Sequence, residues 1–152
     1  MNIWICKDFT LTNVYYNASI PLASTCEQLQ KLENTNLGAI CTKSCTFFPN
    51  MEKDKQYSLN KRKSEKVWLD YDVETKTSYN RYGLKNPGVN YFLRYANQRH
   101  QNNQRNQRVK PFVLSFYPTC GDDIWNLSEK NLEGINSIEI NVSCPNYKYI
   151  KN

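Results

Sequence analysis

Nothing in the 152 residues approaches the ~18 uninterrupted apolar positions of a membrane-spanning helix, and Lys7 and Asp8 break the opening segment, Met1 to Leu11, too early for a secretory signal. The expected address is therefore the cytoplasm, with no membrane partner. Histidine is almost missing, His100 being the only one, and no Cys-X-X-Cys pair occurs; Cys41 and Cys45 are separated by three residues. That spacing argues against a compact zinc site, and no metal is expected. The six cysteines, at 6, 26, 41, 45, 120 and 144, would suggest a disulfide framework in a small secreted chain, but without a signal that reading loses its support. Negative charge is in short supply. Against 14 Asp and Glu stand 20 Lys and Arg, a net charge of +6 that favours anionic small molecules, nucleic acid or acidic surfaces without choosing among them. Two large domains do not fit this length; one domain over 1–152 with a modest core does.

What is present is an alternation of strand and helix signals. Val14 to Ser19 reads as a short strand, and Ser24 with Glu27 has capping-box spacing ahead of a helix carrying Cys26, Leu29 and Leu32, stopped by a left-handed Gly38. Ala39 to Ser44 reads as a second strand. Residues 46–77 form a Lys-rich excursion from the core, broken by one strand around Val67 to Tyr71. After turn chemistry at Gly83 to Gly88, Val89, Phe92, Leu93 and Ala96 fall at the i, i+3, i+4, i+7 spacing of a core-facing helix. Residues 98–107, rich in Gln, Asn and Arg, predict a mobile polar loop.

Pro111 to Tyr117 is a third strand, and Gly121-Asp122-Asp123 opens a helix with apolar positions Ile124, Trp125, Leu127 and Leu132. In the fourth strand, Ser137 to Ser143, Ile138, Ile140 and Val142 alternate with Glu139, Asn141 and Ser143, so one face is apolar and the polar face requires partners. Four strands separated by helices predict βα units and a parallel sheet. Eight residues follow Cys144, leaving no helix after the fourth strand; the sheet is expected to stop there or be completed by another chain.

Parallel α/β folds present reactive groups at the carboxyl ends of their strands. Cys144, in Ser143-Cys144-Pro145-Asn146, stands just past the fourth strand, where an accessible thiolate can act as a base and a buried thiol is inert. Lys43 has the matching place after the second strand. With these residues in view, the sequence resembles the soluble, class 1 dihydroorotate dehydrogenases. The resemblance lies in ordered blocks: Asn17-Ala-Ser19; Thr42-Lys-Ser-Cys-Thr46; Asn80-Arg-Tyr-Gly-Leu-Lys-Asn86 with Gly88, Tyr91 and Tyr95; and Glu139-Ile-Asn-Val-Ser-Cys-Pro-Asn146, the most distinctive of them.

That resemblance implies an α/β fold made of the first four βα-type strands of a (β/α)8 barrel, an incomplete TIM-barrel-like architecture. It implies FMN as cofactor and an orotate-like small molecule as substrate. Cys144 becomes the base that takes the C5 proton of dihydroorotate as hydride leaves C6 for flavin N5, and Lys43 touches both flavin and substrate. Asn80, Asn141 and Asn146 surround the orotate ring, with backbone at Gly83 and Leu84 beside it. Ala18, Ser19 and Ser44 border the flavin, and Asn141 lies between the two ligands. A planar, carboxylated ring is well matched by fixed amide dipoles and one cation.

The same family binds the flavin phosphate through Gly-rich loops late in its barrel, which have no counterpart here, and Tyr82 stands where the family usually has Met. The expected function is therefore that of a dihydroorotate dehydrogenase-like chain, related to pyrimidine synthesis, that lacks the flavin phosphate site and does not turn over alone. Two alternatives stand beside it. One is an enzyme restored by homo-oligomerisation or by a protein partner that covers the sheet edge. The other is a non-catalytic interaction protein using exposed edges and basic loops, with nucleic acid a weaker option resting on Arg94, Arg99, Arg105, Arg108 and Lys110.

Overall fold

A computed structural model describes residues 3–6, 9–51, 69–80, 84–103 and 109–142. An antiparallel hairpin comes first, β1 (Ile3–Cys6) against β2 (Phe9–Leu11). A 3-10 turn at Pro21–Ala23 leads into α1 (Cys26–Glu33). The capping box of α1 is one residue later than the sequence spacing suggests: Thr25 accepts from the Gln28 amide, and the Gln28 side chain accepts from the Thr25 amide. Gly38 has no left-handed conformation. It is required because a Cβ there would collide with the Asn13 carbonyl, where the chain passes close on its way into the sheet.

The central sheet is three-stranded and parallel, β3 (Ile40–Cys41), β6 (Phe112–Phe116) and β7 (Ser137–Ile140), in the order β3-β6-β7. Between the first two strands the chain makes an antiparallel hairpin of β4 (Leu69–Asp72) and β5 (Thr77–Asn80), then α2 (Val89–Asn103); α3 (Asp122–Ser128) connects β6 to β7. This is an open α/β sheet of barrel-wall type, as the incomplete-barrel expectation requires.

The strand expected at Val14 to Ser19 is reduced to one parallel bridge between Tyr16 and Ala39. The physical reason is Asn17, whose side chain takes over the ladder. Its Oδ1 accepts from the Cys41 amide at 2.9 Å and its Nδ2 donates to the Cys41 carbonyl at 2.6 Å, so a side-chain amide pairs with β3 where a strand would have used its backbone.

The helices α1, α2 and α3 contribute to one face of the sheet. Leu29 from α1, Val89, Phe92, Leu93 and Ala96 from α2, and Leu127 from α3 close over Ile40, Phe112, Leu114 and Phe116. The α2 stripe is as predicted, but the helix runs through Asn103, so residues 98–103 are not a loop; 104–108 lie outside the described residues. Arg99 explains why the polar turns hold: it bonds Glu33 and the Lys110 carbonyl and lies over the Phe112 ring at 5.2 Å. Lys110 in turn donates to the carbonyls of Leu32, Glu33 and Thr35 at the end of α1. Two cations of the basic run are thus engaged inside the molecule.

On α3 the expected apolar side is only partly used. Leu127 is buried and Leu132 packs at the margin of the core, but Ile124 and Trp125 face outward, Trp125 being 75% exposed. The helix presents Asp123 inward instead, its carboxylate accepting from the Thr119 amide and hydroxyl and from the Cys120 amide, which fastens the turn before the helix. On β7, Ile138 joins the core while Ile140, and Val142 just past the strand, remain exposed, since β7 is an edge strand among the described residues. Of the Lys-rich excursion, 52–68 lies outside the described residues and the rest includes the β4-β5 hairpin.

Candidate functional site

The sheet's other face changes character along the strands. At their amino ends Ala39, Cys41 and Val113 form a small second core with Leu11 from the hairpin. Towards the carboxyl ends the side chains become polar: Thr42, Ser44, Ser115, Glu139 and Asn141. The change begins at an irregularity in β3. Cys41 is opposite Val113 and Cys45 opposite Phe116, so the β3 side takes four steps where β6 takes three. The extra residue is a bulge, which switches the alternation: Cys41 belongs to the inner core and Cys45 to the helix-side core. Within it the Thr42 hydroxyl accepts from the Ser115 amide at 3.0 Å, and the Lys43 amide turns away from β6 to the Ala23 carbonyl at 2.9 Å.

Beyond the bulge a continuous polar chain crosses the strand ends. Ser19 Oγ and Ser44 Oγ are 2.8 Å apart, and Ser19 Oγ also accepts from the Ser44 amide at 2.5 Å. Ser44 Oγ is 2.9 Å from Ser115 Oγ, which donates to Glu139 Oε1 at 2.8 Å. Asn141 Nδ2 donates to Ser44 Oγ at 2.9 Å, and the Asn141 amide is held by the Phe116 carbonyl at 2.8 Å. Ser44 and Ser115 are buried, so these bonds form in a medium where an unmatched hydroxyl is costly. Glu139 and Asn141 of the polar face of the fourth strand thereby have partners, as its alternation requires; Ser143 lies outside the described residues.

The segment before α2 is fastened to the same end of the sheet by Asn86, which is buried. Its Oδ1 accepts from the amides of Thr46 and Gly88, and its Nδ2 donates to the Leu84 carbonyl at 2.6 Å. Gly88 has φ +81°, and a Cβ there would lie 2.8 Å from the Pro49 nitrogen. Leu84 is buried and its backbone carbonyl is fixed by Asn86.

Thus Ser19, Ser44 and Asn141 of the expected site meet in one hydrogen-bonded cluster, with Lys43, half-buried, next to Ser44 in the chain and Ala18, exposed, next to Ser19. Asn80 is the last residue of β5, paired with Leu69. Gly83, Cys144 and Asn146 lie outside the described residues. Ser115 and Glu139 were not among the expected site residues. Their signal was present as a lone serine in the otherwise apolar Phe112–Phe116 strand and as the acid on the polar face of the fourth.

Among the described residues, the two buried thiols near this surface, Cys41 and Cys45, are poorly suited to act as a base. Burial, with the Glu139 charge adding to it, pushes Cys41 up to about 12, and burial pushes Cys45 higher still. Cys26, Cys41, Cys45 and Cys120 are all free thiols, and among the described residues no group of His, Cys, Asp or Glu is arranged to hold a metal ion. No helix among them is long and apolar enough to cross a membrane.

The profile of the dihydroorotate dehydrogenase family matches residues 4–152. The chain belongs to the dihydroorotate dehydrogenase family. It is 31% identical over 142 residues to the dihydroorotate dehydrogenase (fumarate) of Saccharomyces cerevisiae, covering 90% of this chain and 39% of that protein. It is 30% identical over 138 residues to dihydroorotate dehydrogenase A (fumarate) of Lactococcus lactis subsp. cremoris, and 27% over 139 residues to the dihydroorotate dehydrogenase (fumarate) of Trypanosoma brucei brucei. In each case about nine-tenths of this chain is covered, and it spans 39% of the dihydroorotate dehydrogenase it matches.

Proposed function

We propose that these residues form the substrate-side part of a flavin-dependent dihydroorotate-oxidising site, and that the 152-residue chain does not turn over without the remainder of a barrel. The observation carrying this reading is the polar chain from Ser19 through Ser44 to Ser115, Glu139 and Asn141. It lies at the carboxyl ends of parallel strands, where such folds hold their ligands, and it is assembled from blocks that resemble the family's own.

In this reading Lys43 supplies the cation for an orotate-like carboxylated ring, Asn80, Asn141 and Asn146 supply amides around it, and the backbone of Gly83 and Leu84 borders it. Cys144 is the base for the C5 proton. The donor set of Ser19, Lys43 and Asn141, hydroxyl, ammonium and amide, suits the carbonyl-rich edge of a flavin, with Ala18 and Ser44 alongside. When bound, FMN would supply the acceptor for the hydride. Ser44 acts from behind, since its buried hydroxyl is engaged by Ser19, Ser115 and Asn141.

The need for a further part of the barrel rests on β7. It is an edge strand among the described residues, and Ile140 and Val142 stand exposed beside it. An edge of this kind is a pairing surface for additional polypeptide, supplied by a longer chain, a second copy or another protein. The test is to mix the purified chain with FMN and dihydroorotate. Flavin should elute separately on gel filtration, with no orotate formed. Adding the part of the yeast relative that lies beyond the matched region should restore flavin retention. Robust turnover by the chain alone overturns the proposal.

A further inference from the structure

We infer that Glu139 is a positioning residue: through Ser115 and Ser44 its carboxylate sets the direction of every hydroxyl in the polar chain and thereby fixes which way the Asn141 amide faces. The argument is a count of hydrogens. A serine hydroxyl has one hydrogen to give and two lone pairs to receive, and a carboxylate only receives. Ser115 Oγ gives its hydrogen to Glu139 Oε1 at 2.8 Å. It has none left for Ser44 Oγ at 2.9 Å, so Ser44 is the donor in that contact. Ser44 in turn has none left for Ser19 Oγ at 2.8 Å, and Ser19 must donate to it.

One lone pair of Ser44 then remains, and Asn141 Nδ2 fills it at 2.9 Å. The Asn141 carbonyl in that place would oppose a lone pair, so only one orientation of the amide is compatible with the wiring. Taking the carboxylate away removes the direction. Ser115 is then able to turn its hydrogen to Ser44, Ser44 regains a donor, and its hydroxyl no longer excludes the Asn141 carbonyl from that place. Glu139 touches neither Ser44 nor Asn141 in this chain of contacts and acts on both through Ser115. The wiring belongs to the site proposed above, and its importance for a ligand rests on that reading; the wiring itself does not.

The full chain, labelled with 15N, reports the wiring without any ligand. The Asn141 side-chain amide signals are assigned by their loss in Asn141→Asp, and their hydrogen exchange is followed. In Glu139→Ala we expect exchange to rise about five-fold, the size expected for losing a defined hydrogen bond. Ser115→Ala should give the same rise, the double variant no further rise, and Ser115→Thr, which restores the hydroxyl, the native value. A backbone amide spectrum that stays native through Phe112–Phe116 separates this from loss of fold. If Glu139→Ala does not fold, the contrast between Ser115→Ala and Ser115→Thr decides. Exchange within about two-fold of native in whichever alanine variant folds overturns the inference. Failure to bind FMN or orotate would count against the proposed function and leave this result standing.

Discussion

The two faces of the parallel sheet use the same three strands for opposite purposes. On the helix side Ile40, Phe112, Leu114 and Phe116 meet Phe92 and its neighbours in a contact that tolerates many arrangements of similar volume. On the inner side Ser44, Ser115, Glu139 and Asn141 meet through bonds that admit one arrangement of hydrogens. The first face stores stability and the second stores direction. Substitutions on the first should therefore be graded by volume, and on the second by whether a donor or an acceptor is left unmatched.

The largest effect should come from the helix side. Phe116→Ala, at a fully buried position, is expected to cost about 3–5 kcal/mol, a large part of a domain's stability, measured by urea unfolding. On the inner side Ser115→Ala changes the volume little but removes the link between Ser44 and Glu139, and should cost about 1–3 kcal/mol in the same assay. An effect of Ser115→Ala as large as that of Phe116→Ala would erase the distinction between the faces.

Alkaline pH tests both faces together. Cys41 on the inner face is held at about 12 against an ordinary 9, and Tyr95 on the helix side at about 12 against 10, in both cases chiefly by burial. The folded chain therefore keeps protons that the unfolded chain gives up. Stability should be level below the unfolded value near 9 and fall as pH rises from there towards 12, read from urea midpoints across that range. A thiol reagent on the native chain should label exposed Cys120 and spare Cys41 and Cys45. The smallest effect belongs to Trp125→Ala, within about 0.5 kcal/mol, because that ring stands outside either face.

Much of the helix side was legible in the sequence, because the spacing of Val89, Phe92, Leu93 and Ala96 reports a buried stripe directly. Ile124 and Trp125 misled for the same reason: apolar periodicity says which residues share a side, not whether a core lies against it. The polar loop expected from 98 was overridden in part by Arg99, whose partners Glu33 and Lys110 are distant in sequence. On the inner side the blocks carrying Ser19, Lys43, Ser44 and Asn141 pointed to one end of the sheet. Ser115 and Glu139 did not stand out, because a hydroxyl within an apolar strand acquires meaning only when its partners 71 and 24 residues away are known.

Asn17 also has a consequence for how this sheet can grow. Its amide occupies both peptide groups of Cys41, and the Gly38 amide is taken by the Tyr15 carbonyl. An incoming strand on that flank finds those positions filled, whereas β7 is an open edge among the described residues. Growth of a sheet head to tail needs unfilled backbone groups on both flanks, and a single asparagine side chain withdraws both groups of Cys41 from it.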